Sequence, residues 1–166
     1  GACLFIRASH FWEVGGLDED FFAHQEEIDL CWRLKNKGHL IMVEPGSIVY
    51  HVGGGTLNTG SPLKTYLNFR NNLYMLFKNL TFSSLCIVLP IRLILDGIAA
   101  FTFLKQKNGL QHFLMIAKAH IHFYSKIPSA IFKRKDIIQR SKLIGKVNYS
   151  ILVKNKIKRI KTFTKL

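Results

Sequence analysis

Apolar side chains appear first as a tight run, Cys3-Leu4-Phe5-Ile6, short enough for one buried strand within Gly1 to Arg7. Ser9 is placed to cap a short helix through Val14, which Gly15-Gly16 would stop, and a loop from Leu17 to Phe22 follows. The spacing next predicts a helix from about Gln25 to Lys37. Glu26, Glu27 and Asp29 suit the positive end of its dipole, Lys35 and Lys37 suit the negative end, and Gly38 can take the left-handed position beyond it. Leu40 to Val43 and Ser47 to Tyr50 read as strands joined across Glu44-Pro45-Gly46, the second leading into His51 and the glycines Gly53, Gly54 and Gly55. Ser61-Pro62 opens a longer helix, on which Tyr66, Phe69, Leu73, Leu76 and Phe77 recur at helical spacing to about Asn79.

The pattern then changes. Residues 85–104 are almost continuously apolar, about the 20 residues needed to cross a bilayer, yet they carry Pro90, Arg92, Asp96 and Gly97. Arg92 and Asp96 lie four apart and can pair on one helical face. Each charge costs roughly 2.5–3.5 kcal/mol near a bilayer centre, so a helix or hairpin lying in the interface is favoured, with a transmembrane helix as the alternative. Residues 110–132 add an amphipathic stretch, with Phe113, Ile116, Ile121 and Phe123 beside Lys118, His120, His122 and Lys126.

Composition sharpens this picture. The 166 residues are 48% hydrophobic with a net charge of +14, which excludes a low-complexity disordered chain. Three cysteines without a CxxC pair exclude a disulfide scaffold and fit a reducing compartment. Residues 1–60 hold 4 basic and 8 acidic side chains, residues 61–166 hold 20 basic and 2 acidic, and residues 105–166 alone hold 16 basic and 1 acidic. Interleaved with Ile, Leu, Phe and Tyr, those cations suit an anionic membrane surface. Nucleic acid is the rival partner and is disfavoured, because the apolar stretch adjoins the basic one and no nucleic-acid motif is present. The chain begins at Gly1 on a strand-like run, with neither an initiator Met nor a basic-then-apolar leader, so a further N-terminal part is expected to precede it.

Two places could carry chemistry. Glu26 and Glu27 bring like charges together at a helix start, where repulsion and desolvation raise a carboxyl toward general-base range while the dipole pulls it down; simple charge matching of the helix end is the alternative. His51, before its glycines, is either a ligand or catalytic group or an ordinary exposed histidine.

Four motifs agree in order and spacing: GACLFIR, then FWEVGGLDEDFFAHQEEIDLCWRLKNKGHLIMVEP, then VYHVGGGT, then SPLKTYLNFRNNLYMLFKNL. Together they closely resemble the C-terminal half of the catalytic domain of family-2 inverting glycosyltransferases, in particular the bacterial rhamnosyltransferase-like branch, over about residues 1–80. The resemblance implies an α/β fold, the C-terminal portion of a Rossmann-like GT-A domain; the apolar and charge patterns place after it an apolar and amphipathic membrane-associating region over 81–132 and a basic tail over 133–166. The resemblance also implies an enzyme that moves a sugar from a nucleotide-sugar donor to an acceptor hydroxyl with inversion; the apolar and basic second half adds the expectation of a glycan or lipid-linked acceptor at the cytoplasmic face of the cell membrane, in surface polysaccharide or lipid-linked glycan synthesis. The nucleotide-binding half and the main DxD metal motif would be missing, leaving this stretch inactive alone. Glu27 matches the general base and Glu26 is the alternative base. Asp18, Asp20 and Asp29 fall on the acceptor side, with Asp18 also suited to capping a turn. His51 matches a ligand of the divalent metal, Mg²⁺ or Mn²⁺; Gly53, Gly54 and Gly55 match a diphosphate loop, and Arg70 matches the rim of the site. A membrane- or polyanion-binding module without catalysis is the competing function.

Overall fold

The computed structural model describes residues 3–51 and 60–137, so Gly53, Gly54, Gly55 and nearly all of the basic tail lie outside the described residues. Among the described residues six α-helices form: α1 (Ala8–Glu13), α2 (Glu26–Lys37), α3 (Pro62–Asn79), α4 (Phe82–Phe103), α5 (Gly109–Ser125) and α6 (Ile127–Lys135), with a 3-10 turn at Glu19–Phe21. α2 ends as its sequence dictates. Gly38 takes φ 100°, and its N–H bonds the carbonyls of Leu34 and Lys35. At the start of α4 the Thr81 side chain accepts from Ser84 N, and the helix runs on through Pro90 with one backbone donor fewer. Pro128 opens α6, so the amphipathic stretch over 110–132 is two helices broken at Lys126. Gly109 is required at the α4–α5 turn, since a Cβ there would sit 2.3 Å from the Phe103 carbonyl oxygen.

The expected α/β Rossmann-like fold is not found: the described residues contain no strand and no sheet. Residues 3–7, 40–43 and 47–51 are non-helical and mostly exposed. Their apolar content does suit a sheet, but a strand exists only through ladder bonds to a neighbour, and no described segment pairs with them. The architecture is a helical bundle built on α3.

α3 packs most extensively against α5 and also touches α2, α4 and α6. Phe21, Leu73, Tyr74, Met75, Phe123 and Ala130 form the main core, with Trp32, Leu89 and Leu93 against it; Tyr66, Leu67 and Ala119 form a second cluster. Burying one such large side chain stabilises by about 1.5–3 kcal/mol. Phe21 is the joint between the halves of the chain, because the short turn after Asp18 inserts its ring beside Tyr74 and below the Lys78 ammonium, 5.0 Å from the ring centre.

Candidate functional site

Between Phe21 and α2 the backbone takes an unusual course. Phe22, His24 and Gln25 have φ of 61°, 69° and 71°, left-handed values that cost non-glycine residues about 1–3 kcal/mol each and persist only when surrounding contacts enforce them. α3 supplies those contacts. Asn71 Nδ2 reaches the carbonyls of Phe21, Ala23 and His24 at 3.0, 2.7 and 2.7 Å. Arg70 Nη2 donates to the carbonyls of Asp20 and Phe21 at 2.8 and 3.0 Å. Gln25 is held from both sides, donating to Asn68 O at 3.0 Å and accepting from Asn72 Nδ2 at 3.3 Å. Buried Arg70, a candidate from the sequence for either the rim of the site or packing, works here as a clamp on the loop's backbone.

This clamp fixes where α2 begins, and so where Glu26 and Glu27 stand, at the positive end of a twelve-residue helix. Both are half-buried. At Glu27 burial pushes the carboxyl up, while the hydrogen bond from its own backbone N–H and the nearby His24 pull it down. Beside it, Glu26 Oε2 and His24 Nε2 are buried without a hydrogen-bond partner among the described residues, unusual for polar atoms in a folded protein. The end of α2 therefore presents two carboxylates and an imidazole on a fixed frame.

One turn further on, the acids turn inward. Asp29 is fully buried; its carboxylate accepts from Arg33 Nε at 2.8 Å, Lys78 Nζ at 3.0 Å and Asn79 Nδ2 at 2.7 Å. Arg33 also donates to the carbonyls of Val14 and Gly16, tying the Gly15-Gly16 turn to α2. Asp18 bonds the backbone N–H of Asp20 at 3.1 Å, as the turn reading expects, and also pairs with Lys78 at 2.5 Å and with Lys133 of α6 at 2.6 Å. Lys133 reaches Asp20 as well, and Arg134 donates to the Phe77 carbonyl, so α6 is tied to the acidic loop. A cavity of about 610 Å³ opens here, lined by Trp12, Asp18, Glu19, Arg33, Lys78 and Lys133 among others.

Burial alone would raise the Asp18 pKa, but the Lys78 charge and hydrogen bonds from Lys133 and Lys78 hold it at about 2, against 3.8 ordinarily. A depressed carboxyl stabilises the fold above its unfolded pKa and loses that contribution as pH falls through its folded one. Asp18 should therefore contribute about 2 kcal/mol at neutral pH, an advantage that fades between about pH 5 and pH 2. Urea unfolding of wild type and Asp18→Asn across that range checks it: the gap between the two should close on acidification.

His51 is exposed, at the end of a non-helical segment. No three His, Cys, Asp or Glu side chains converge as metal ligands among the described residues. Lys78, Asn79 and Lys133, central to the charge network, escape a reading based on apolar spacing. Lys78 was findable, since it lies at helical spacing from Leu67, Asn71 and Tyr74 on the buried face of α3.

Comparison with known proteins finds similarity to glycosyltransferases over part of the chain. The chain is 43% identical over 51 residues to N-acetylglucosaminyl-diphospho-decaprenol L-rhamnosyltransferase of Mycobacterium tuberculosis, a stretch covering 31% of this chain and 17% of that protein. It is 29% identical over 72 residues to a low-salt glycan biosynthesis hexosyltransferase of Haloferax volcanii, covering 43% of this chain and 24% of that protein. Its relatives are glycosyltransferases. The matched stretches span less than a quarter of these relatives' lengths. No family model and no solved structure matches the chain.

Proposed function

We propose that this chain forms the acceptor side of a glycosyltransferase that moves a sugar, in rhamnosyltransferase-like fashion, from a nucleoside-diphosphate donor to a hydroxyl of a lipid-linked glycan at the cytoplasmic face of a membrane. The observation that carries the proposal is the clamped loop before α2: Arg70 and Asn71 hold three left-handed residues so that Glu26 and Glu27 stand at a fixed position. Strain of that kind is kept where a side chain must be held in one orientation. Glu27 accepts the proton of the acceptor hydroxyl as its oxygen bonds the anomeric carbon. The bond from that carbon to the diphosphate oxygen breaks on the opposite face, which inverts the centre. Glu26 is the alternative base. Asp18, Asp20 and Asp29 serve the acceptor side through the shape they impose, Asp29 by anchoring α2 and Asp18 and Asp20 by anchoring the loop to α3 and α6.

The assay is transfer itself. The whole protein, supplied with radiolabelled nucleoside-diphosphate sugars and a polyprenyl-diphosphate-linked N-acetylglucosamine, should move label into the lipid extract and release the nucleoside diphosphate in equal amount. Absence of transfer from every donor and to every lipid-linked acceptor tried would count against the proposal.

A further inference from the structure

α4 has two unlike faces. Toward the protein it places Leu85, Leu89, Leu93, Asp96, Ala100 and Phe103, a stripe running from one end of the helix to the other. Leu89 and Leu93 pack on the main core, and the Phe103 ring meets those of Phe69 and His112. The charged groups lie on this side too. Asp96 is buried and pairs with Arg92 at 2.7 Å and with His120 Nε2 of α5 at 3.1 Å, while the Arg92 guanidinium lies 5.5 Å from the Phe69 ring centre. Away from the protein, Ile87, Ile91, Ile94, Leu95 and Ile98 recur at helical spacing and are each 44–65% exposed, and Phe101, 65% exposed, ends the stripe with its ring edge-on to Phe113 of α5 at 5.6 Å.

By length and composition α4 is able to cross a membrane. A spanning helix, however, needs its surroundings apolar or protein along its whole length, and here one side is joined from end to end to α3 and α5, while α3 at the same time clamps the polar loop over residues 20–25. Of α4 only Leu85, Asp96 and Ala100 are buried, and the outward isoleucine-rich stripe is the apolar face that points furthest from α3 and α5. The charge that follows it in sequence indicates which lipid: exposed Lys105 and Lys107 come directly after the helix, and residues 105–166 hold 16 basic side chains against 1 acidic. We infer that α4 lies flat in the interface of an anionic bilayer, its isoleucine stripe among the acyl chains and its Arg92–Asp96–His120 cluster turned toward the protein. This surface stands independently of the transferase proposal; if both hold, it keeps the Glu26–Glu27 end of the protein on the same surface as a lipid-borne acceptor.

Flotation of the purified chain with vesicles of phosphatidylcholine, with and without phosphatidylglycerol, tests the docking, and depth-dependent quenching tests the orientation. Binding should require phosphatidylglycerol. Each of Ile94→Glu and Ile98→Glu should weaken it about tenfold with the helical circular dichroism unchanged. For depth, a bimane label is placed at Ile87→Cys, Ile94→Cys or Phe101→Cys in a background where Cys3, Cys31 and Cys86 are serine. Quenching by shallow spin-labelled lipid should be equal at all three positions, which lie on one side of a flat helix. Deep quenching at 94 with shallow quenching at 87 and 101 would mean a spanning helix and would overturn the inference. So would a failure to float with either vesicle, whether the chain is monomeric or covers the stripe with a second copy.

Discussion

Asp29→Ala should lower the stability of the bundle by about 3–5 kcal/mol, because it removes the shared anion from a buried cluster and leaves two cations short of their partner. Asp29 is fully buried, and so, within a few per cent, is Lys78; Arg33 and Asn79 complete its shell. Lys78 keeps Asp18 and Arg33 keeps two backbone carbonyls, which places the expected loss nearer the lower figure. Asp29→Asn retains the shape and the means to bond Asn79, yet still strands positive charge, so it should be destabilising as well. The exposed Glu13, which pairs with His39 and Lys37, provides the contrast: Glu13→Gln should leave the urea midpoint unchanged. A midpoint for Asp29→Ala equal to that of wild type would refute the role given to this cluster.

Helices with strong local signals were legible in the sequence. α2 has acids at its start, lysines at its end and a glycine beyond, and it forms from Glu26 to Lys37 as its spacing indicates; Ser61-Pro62 likewise marks the start of α3. The Arg92–Asp96 pair was readable because it lies within one helix, whereas its third member, His120, arrives from α5 and leaves no local trace. The strands were misread for a physical reason: the apolar, β-branched runs at residues 40–43 and 47–50 describe segments fit for a sheet, but the described residues provide no neighbour to complete it. Apolar spacing also misjudged the inner face of α3. Phe69, Leu76 and Phe77 are only half-buried, while Arg70, Asn71, Lys78 and Asn79 occupy the interior, each paid for by specific partners that only the folded chain brings together. Residues of that kind are where a sequence serves a site rather than a core, and they surround the loop that presents Glu26 and Glu27.

The most direct test is the single-turnover rate of sugar transfer by the whole protein carrying Glu27→Gln, measured beside Glu26→Gln and with donor binding followed in parallel. The substitution keeps size and shape and removes only the capacity to accept a proton. If Glu27 is the base, transfer should fall by roughly 10²–10⁴-fold while the nucleotide sugar binds as before, and Glu26→Gln should retain most of its activity. Normal transfer by Glu27→Gln would contradict the account, and a loss confined to Glu26→Gln would move the base to the neighbouring carboxylate.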